Sequence, residues 1–283
     1  MPENIVIANP EKLEDIKKRI AEGGAKKFHI LSDFDRTLTT AFIDGKSIPS
    51  LISILRDENY LTSDYGSKAQ ALYDKYHQIE IDSTVPVAEK KKAMQEWWET
   101  HFNLLIKSRL NKKDIERAVD TCKVKFRDGF GEFMDFLKDH NIPLVIMSSS
   151  GLGVDAIKMY LAKEEKLYDN IYVISNSFEW DDKGYAIAVR KPIIHGMNKD
   201  ETLVQDFPAF DVIKNRKNVL LLGDSLDDVG MAVGFDTENL IKIAFLNEKA
   251  EENLESYKKT FDAVILNDGS MEYVNSLLKS ITL

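Results

Sequence analysis

The chain has 283 residues, 43% of them hydrophobic and 30% charged, enough for a sizeable core built as one large domain or as a core with a smaller inserted one. A net charge of −9 speaks against non-specific nucleic-acid binding, which draws on Lys and Arg, but leaves room for a small phosphate in a local basic pocket. The single Cys122 excludes an internal disulfide and a cysteine-based metal site. Residues 1–20 hold no apolar signal core, and no apolar run approaches the ~20 residues of a membrane span. A cytoplasmic protein, off the membrane and monomeric, is expected.

Asn9-Pro10-Glu11 opens a predicted helix over 10–21, with Leu13, Ile16 and Ile20 on one face, and Gly23-Gly24 stops it. A strand follows over 27–33. From about 43 to 125 the character changes: β-branched runs are scarce, and helical patterns occupy 48–58, 63–79, 87–107 and 112–123. Aromatics are dense there, among them Tyr73, Tyr76, Trp97, Trp98 and Phe102. This reads as a helical insertion.

An α/β rhythm then begins. A helix is predicted over 131–140. Pro143-Leu144-Val145-Ile146-Met147 is apolar throughout, as a strand buried on both faces should be. A helix to about 164 follows, then a strand over 171–178 that forms a hairpin with 184–190. A helix is expected over 201–207, a strand over 218–223 and a helix to 233. A strand over 240–246, a helix over 250–260, a strand over 263–266 and a helix over 271–280 close the chain. Strands alternating with helices imply an α/β fold: a Rossmann-like, mainly parallel sheet with helices on both faces.

Ligands bind beyond the carboxyl ends of such strands. The first strand ends in Asp33 and Asp35, whose i, i+2 spacing points both carboxylates the same way on an extended chain. Two such acids repel unless a cation sits between them or one holds a proton. The second strand ends in Ser149 with a glycine-flanked turn, and the third in Asp224, Asp227 and Asp228. Lys199 lies in the loop Gly196-Met197-Asn198-Lys199-Asp200. Carboxylates, a hydroxyl, backbone N–H groups and one lysine suit phosphate bound beside Mg²⁺.

Asp33-Phe34-Asp35-Arg36-Thr37-Leu38-Thr39 resembles the D-x-D-x-T/V motif of the haloacid dehalogenase-like phosphotransferases. Ser149, Lys199 and Gly223-Asp224-Ser225-Leu226-Asp227-Asp228 resemble their second, third and fourth motifs, in order. Tyr76-His77-Gln78-Ile79-Glu80-Ile81-Asp82, Met94-Gln95-Glu96-Trp97-Trp98, Ser149-Ser150-Gly151-Leu152-Gly153 and His195-Gly196-Met197-Asn198-Lys199 are similar to the cytosolic pyrimidine 5′-nucleotidases of the cytosolic III type. That likeness covers about 28–246. It implies an α/β phosphatase core (1–42 and 126–283) and a helical cap (43–125) that sets substrate choice.

The resemblance implies that Asp33 is a nucleophile forming an aspartyl-phosphate and that Asp35 is the general acid and base. It makes Asp33, the Asp35 carbonyl and Asp224 Mg²⁺ ligands, with Asp228 as a further ligand or a partner just behind them. Ser149 and the N–H groups of Ser150 and Gly151 would hold phosphate oxygens, with Lys199 compensating its charge. Asp227 reads better as a favourable charge at a helix start. In the cap Glu80 is the candidate for reading a base, since a carboxylate can accept from a cytosine amine. Trp97 or Trp98 would stack on the base, while the other packs in the core; Tyr76 and His77 are further candidates. His101 and His195 read as structural.

These expectations add up to a Mg²⁺-dependent 5′-nucleotidase acting on CMP and UMP or on 7-methyl-GMP, with water or another nucleoside as phosphoryl acceptor. One rival is a phosphoserine- or sugar-phosphate-type phosphatase on the same core. A cap rich in Arg would favour it, whereas this one has only Arg56, Arg109 and Arg117. A regulatory binding protein on a phosphatase-like core would predict losses among Asp33, Asp35, Lys199 and Asp224, and all four are present.

Overall fold

The computed structural model describes residues 4–282 except 83, 122, 200–206 and 234–235. The chain begins β1 (Ile5–Ile7), α1 (Pro10–Gly23), β2 (Phe28–Ser32) and a small hairpin of β3 (Phe42–Ile43) and β4 (Lys46–Ser47). Four helices follow: α2 (Leu51–Asp57), α3 (Tyr65–Ile81), α4 (Val87–Lys107) and α5 (Lys112–Asp120). Next come α6 (Phe130–Asp139), β5 (Leu144–Met147), α7 (Gly153–Lys163), β6 (Ile171–Ile174) and the hairpin of β7 (Phe178–Trp180) and β8 (Ala186–Val189). The last part holds α8 (Pro208–Ile213), β9 (Asn218–Gly223), β10 (Asn239–Leu246), α9 (Ala250–Thr260), β11 (Ala263–Leu266) and α10 (Glu272–Thr282).

Seven strands form one sheet in the order β1-β11-β10-β9-β2-β5-β6, parallel except for the edge strand β1. Every residue of β2 is buried, and the strand lies between β9 and β5. Side-chain alternation sends Phe28, Ile30, Leu220 and Leu222 to one face, where they meet Leu13 of α1, Phe133 of α6, Ile157 of α7 and Leu277 of α10. Leu31, Val219 and Leu221 go to the other, against Ile213 of α8 and Leu254 of α9. The sheet is therefore covered on both faces, and its strands read as continuous apolar runs for that reason.

Helices α2–α5 are inserted between two strands that are neighbours in the sheet, β2 and β5. Their apolar faces are continuous with the main core: Leu55, Tyr65, Phe102 and Leu105 belong to the same buried cluster as Ile30. Phe102 of α4 meets Phe178 of β7 edge-on at 5.5 Å. Tyr76, Met94 and Trp97 form a separate small cluster between α3 and α4, with Met197 packed against it. Among the described residues no helix is long and apolar enough to cross a membrane.

Several sequence expectations need correction. The strand expected over 171–178 is two strands in different sheets. The chain leaves the main sheet at Asn176, whose side chain bonds both the Ile194 backbone (N–H 2.9 Å, carbonyl 2.9 Å) and the Ser150 carbonyl (3.2 Å). The helix expected after Asp224 is a 3-10 turn, Leu226–Ala232, because the Asp228 carboxylate folds back onto the N–H groups of Asp224 and Ser225 and tightens it. Strand β1 and the β3–β4 hairpin went unpredicted, although Asp44-Gly45 between two short extended arms is a two-residue hairpin signal. Helix α8, opened by Pro208 at its first position, also went unpredicted; the helix expected over 201–207 lies, apart from Phe207, outside the described residues.

Candidate active site

At the carboxyl end of β2 the Asp33 N–H continues the ladder to the Leu222 carbonyl at 3.0 Å, which fixes Asp33 beside the end of β9. The Asp33 side chain meets the Lys199 ammonium in a short hydrogen-bonded ion pair, and Lys199 also donates to Asp228 at 3.2 Å. All three side chains are nearly fully buried. Gly223 makes the approach of Asp228 possible: a Cβ there would stand 2.5 Å from that of Asp228. Asp224 is placed by its backbone, whose carbonyl accepts from the Tyr257 hydroxyl at 2.6 Å, and its carboxylate lies 3.5 Å from the Thr37 hydroxyl.

One carboxylate oxygen from each of Asp33, Asp224 and Asp228 can be chosen so that all lie within 4.8 Å of one another. Burial pushes the Asp33 carboxyl up to about 7; Lys199 opposes this, while Asp228 and Asp35 add to it. Asp224 is raised well above the usual range by burial, with Asp33 and Asp228 adding to the shift. Burial also raises Asp35, against the pull of Lys199. For Lys199, burial works against the charge, but the facing carboxylates outweigh it and its pKa rises. Three carboxyl groups and Asp35 around one ammonium would carry an excess of negative charge if all were ionised, which adds to the rise at Asp33 and Asp224. Hard oxygen donors in this arrangement fit a divalent cation such as Mg²⁺.

Above this cluster lies a cavity of about 680 Å³. Asp33, Asp35, Ser149, Lys199, Asp224 and Asp228 line its floor, and Tyr73, His77, Glu80, Val85, Val87 and Lys90 from the inserted helical region line the opposite wall. His77 bonds Glu80 at 3.1 Å and stacks on Tyr73 at 4.6 Å. A second, more apolar cavity of about 160 Å³ shares Ser50 and Tyr73 with the first and is lined by Trp97, Trp98, Tyr65, His101 and Arg56.

The structure thus brings Asp33, Asp35, Ser149, Lys199, Asp224, Asp228, His77 and Glu80 to one cavity, and Trp97 and Trp98 to the next. Ser150 and Gly151 form the turn beyond Ser149 without lining either cavity; the Ser150 N–H is taken by the Ser148 hydroxyl at 3.0 Å. Tyr76 is 2% exposed, stacks on Trp97 and donates to Glu96 at 2.6 Å, so it lines neither cavity. Asp227, read above as a helix-start charge, does line the larger cavity. Tyr73, Lys90, Arg36 and Met197 also line this cavity, although the sequence reading gives them no site role. The i, i+4 spacing of Tyr73 from His77 on a helix carrying Glu80 three residues later is the signal that could have found Tyr73.

Comparison with known proteins agrees with this arrangement. The profile of the pyrimidine 5′-nucleotidase (UMPH-1) family matches residues 36–282. The 7-methylguanosine phosphate-specific 5′-nucleotidase A of Xenopus laevis is 34% identical over 281 residues, covering 99% of this chain and 96% of that one. The crystal structure of cytosolic 5′-nucleotidase IIIB bound to cytidine superposes with a TM-score of 0.90 at 30% identity, covering 99% and 94% of the two chains. A haloacid dehalogenase-family hydrolase of Salmonella enterica shares the fold, with a TM-score of 0.58 at 16% identity over 96% of this chain and 81% of its own. The chain belongs to the pyrimidine 5′-nucleotidase family, phosphoric monoester hydrolases on a haloacid dehalogenase-like α/β fold.

Proposed function

We propose that this protein hydrolyses nucleoside 5′-monophosphates, CMP and UMP or 7-methyl-GMP, with Mg²⁺ as cofactor. The observation that carries this reading is the buried Asp33–Lys199–Asp228 cluster beneath a cavity whose far wall is aromatic and presents Glu80. The names of the relatives support it: one acts on 7-methylguanosine phosphate and another holds cytidine. Residues 1–42 and 126–283 act as the phosphatase core and 43–125 as the cap. The cytosolic name of the cytidine-bound neighbour supports a cytoplasmic setting; a monomer is the proposed state.

In the first step the Asp33 carboxylate attacks phosphorus, the phosphorus–O5′ bond breaks, and protonated Asp35 gives its proton to O5′ so that neutral nucleoside leaves. The raised pKa of Asp35 suits a group that must hold that proton. In the second step the Asp35 carboxylate takes a proton from water, the oxygen attacks phosphorus, and the Asp33–phosphorus bond breaks to release phosphate. Another nucleoside in place of water would give phosphotransfer. Lys199 moves from pairing Asp33 to compensating the phosphoryl oxygens, with Ser149 as a donor beside it. Mg²⁺ held by Asp33, Asp224 and Asp228, with the Asp35 carbonyl, would neutralise charge on the phosphoryl group. Ser150 and Gly151 shape the turn that aims Ser149.

Glu80 and His77 line the wall across the cavity from the carboxylate cluster, which supports a role in reading a base amine, and the neighbouring Trp97–Trp98 cavity offers ring faces for stacking. The catalytic cavity's cap wall carries Lys90 as its cation and no arginine, which disfavours a second anionic substrate group. Phosphate release from CMP, UMP, AMP, GMP, 7-methyl-GMP, phosphoserine and glucose 6-phosphate, with Mg²⁺ and with chelator, tests the reading. Mg²⁺-dependent turnover confined to nucleotides is expected; preference for phosphoserine or the sugar phosphate overturns the assignment of the cap.

A further inference from the structure

Arg127 stands where the chain returns from the inserted helices to the sheet, and its side chain is wholly buried. All of its guanidinium donors are engaged. Nε donates to the Thr37 carbonyl at 2.7 Å. One terminal nitrogen donates to Asp268 and to the Gly269 carbonyl, both at 2.8 Å; the other donates to Asn247 at 2.7 Å and to the Arg36 carbonyl in a short bond. The group lies over the Phe245 ring, 4.1 Å from its centre.

Two of these acceptors belong to the residues directly after Asp35. Arg36 has a φ of +60°, a conformation uncommon for a residue that bears a side chain. Asn247 donates to the same Arg36 carbonyl at 3.0 Å. The Arg127 backbone N–H reaches the Leu38 carbonyl at 3.1 Å. The Asp268 carboxylate, paired with Arg127, also accepts from the N–H groups of Ala41 and Phe42 at 2.8 and 3.0 Å, where the chain leads out toward the inserted helices. One buried ion pair therefore holds the turn after Asp35 and both crossings to the helical insertion. Among the described residues none donates to the Asp35 carboxylate, while the turn that follows it is held by these bonds. A buried guanidinium is costly unless fully paired, and here its pairing is spent on two carbonyls of the catalytic turn.

We propose that Arg127 is a positioning residue for Asp35, aiming the general acid at the leaving oxygen through the Arg36 and Thr37 carbonyls. This rests on Asp35 acting as the general acid. Misaiming that acid should hurt an oxygen leaving group, which needs a proton, and spare a sulfur one, which leaves as a thiolate. A merely structural loss lowers both.

The experiment compares kcat/KM for the better substrate of CMP and 7-methyl-GMP with that for its 5′-phosphorothiolate, which has the same base. This parameter ends at release of the first product and so excludes the water step. The proteins are wild type, Asp35→Asn and Arg127→Lys, which keeps the charge but loses the fork of donors. Expected for both variants is a loss of about 100-fold on the oxygen ester, mostly in kcat, and only a few-fold on the sulfur analogue. If Asp35→Asn discriminates and Arg127→Lys lowers both substrates equally, or neither, the positioning role is overturned while the general-acid reading stands. If Asp35→Asn itself does not discriminate, the general-acid reading fails and the proposal falls with it. Should Arg127→Lys not fold, Asn247→Ala carries the test. It leaves the Arg127–Asp268 pair in place but removes both the second donor to the Arg36 carbonyl and the acceptor that fixes the Arg127 nitrogen bonded to that carbonyl. A selective oxygen-ester loss supports the proposal, and an equal loss or none overturns it.

Discussion

Gly151 lies directly beneath Trp98: a Cβ built on it would stand 2.8 Å from the indole ring and 2.3 Å from Ile52 Cδ1. The turn after Ser149 and the helical insertion are thus in contact at a point with no room for a methyl group. Gly151→Ala should wedge the insertion away from the sheet. Overpacking of this kind costs about 1–3 kcal/mol. Borne by the contact between the insertion and the turn, it should lower kcat/KM about 5- to 150-fold, mainly through KM. Ile52→Val removes the worst clash, so the double variant should recover part of the loss. Unchanged kinetics in Gly151→Ala would show that catalysis does not use this contact.

Asp33→Asn should abolish turnover and leave the fold intact. Asp33 shares its site with Asp224 and Asp228, and burial together with these neighbours raises the pKa of both Asp33 and Asp224. Removing one charge relieves repulsion that Lys199 alone does not cancel. In chelator the urea midpoint of Asp33→Asn is therefore expected to equal or exceed that of wild type. Near-normal activity in the folded variant would sink the nucleophile assignment.

The carboxylate cluster also predicts stabilisation by metal without reference to activity. A cation bound only by the folded chain at 100 times its dissociation constant adds about 2.7 kcal/mol, which for a chain of 283 residues raises Tm by roughly 5 °C. Wild type should show this rise in Mg²⁺ and lose it in chelator. Asp224→Asn should show a much smaller rise. An equal rise in both proteins would place the cation elsewhere.

The sheet and the floor of the larger cavity were legible because both rest on local signals. Short apolar runs such as Asn218–Gly223 suit strands buried on both faces, and each ends in the polar residues that converge. Where tertiary hydrogen bonds decide, the pattern misled. Asn176 pulls the chain out of the sheet although 171–178 looks extended throughout, and Asp228 winds a 3-10 turn where composition suggested a helix. The insertion was harder still, since aromatic spacing does not say which ring faces a cavity. Tyr76 turned to Glu96, while Tyr73, one turn earlier, took the wall. Arg127 gave no signal: its five acceptors come from segments at 36–37, 247 and 268–269.

Glu80 lines the larger cavity with its side chain partly exposed and paired to His77. If it accepts from a base amine, its removal should be felt only by substrates that have one. Glu80→Ala should lower kcat/KM on CMP by about 10- to 200-fold, the worth of a hydrogen bond to a charged acceptor of about 1.5–3 kcal/mol. A generic aryl phosphate should be nearly unaffected. Equal losses on the two would mean that Glu80 does not read the base.

His101 supplies a prediction about acid stability. It is 8% exposed, bonds the Tyr65 hydroxyl at 3.1 Å and lies parallel to Trp98 at 6.0 Å. Burial, with Arg56 adding to it, lowers its pKa from 6.5 to about 4. Between those values the unfolded chain binds a proton that the folded chain refuses, so His101 withdraws stability as pH falls through this window. At 1.36 kcal/mol per unit the loss reaches about 3 kcal/mol near pH 4. His101→Gln keeps a polar side chain that does not titrate. His29, His195 and the carboxylates titrate alike in both proteins, so the difference in unfolding free energy isolates His101. Measured by urea at pH 7.5 and 4.5, wild type should lose about 2–3 kcal/mol more than the variant. Equal losses would show that His101 takes up its proton inside the folded protein.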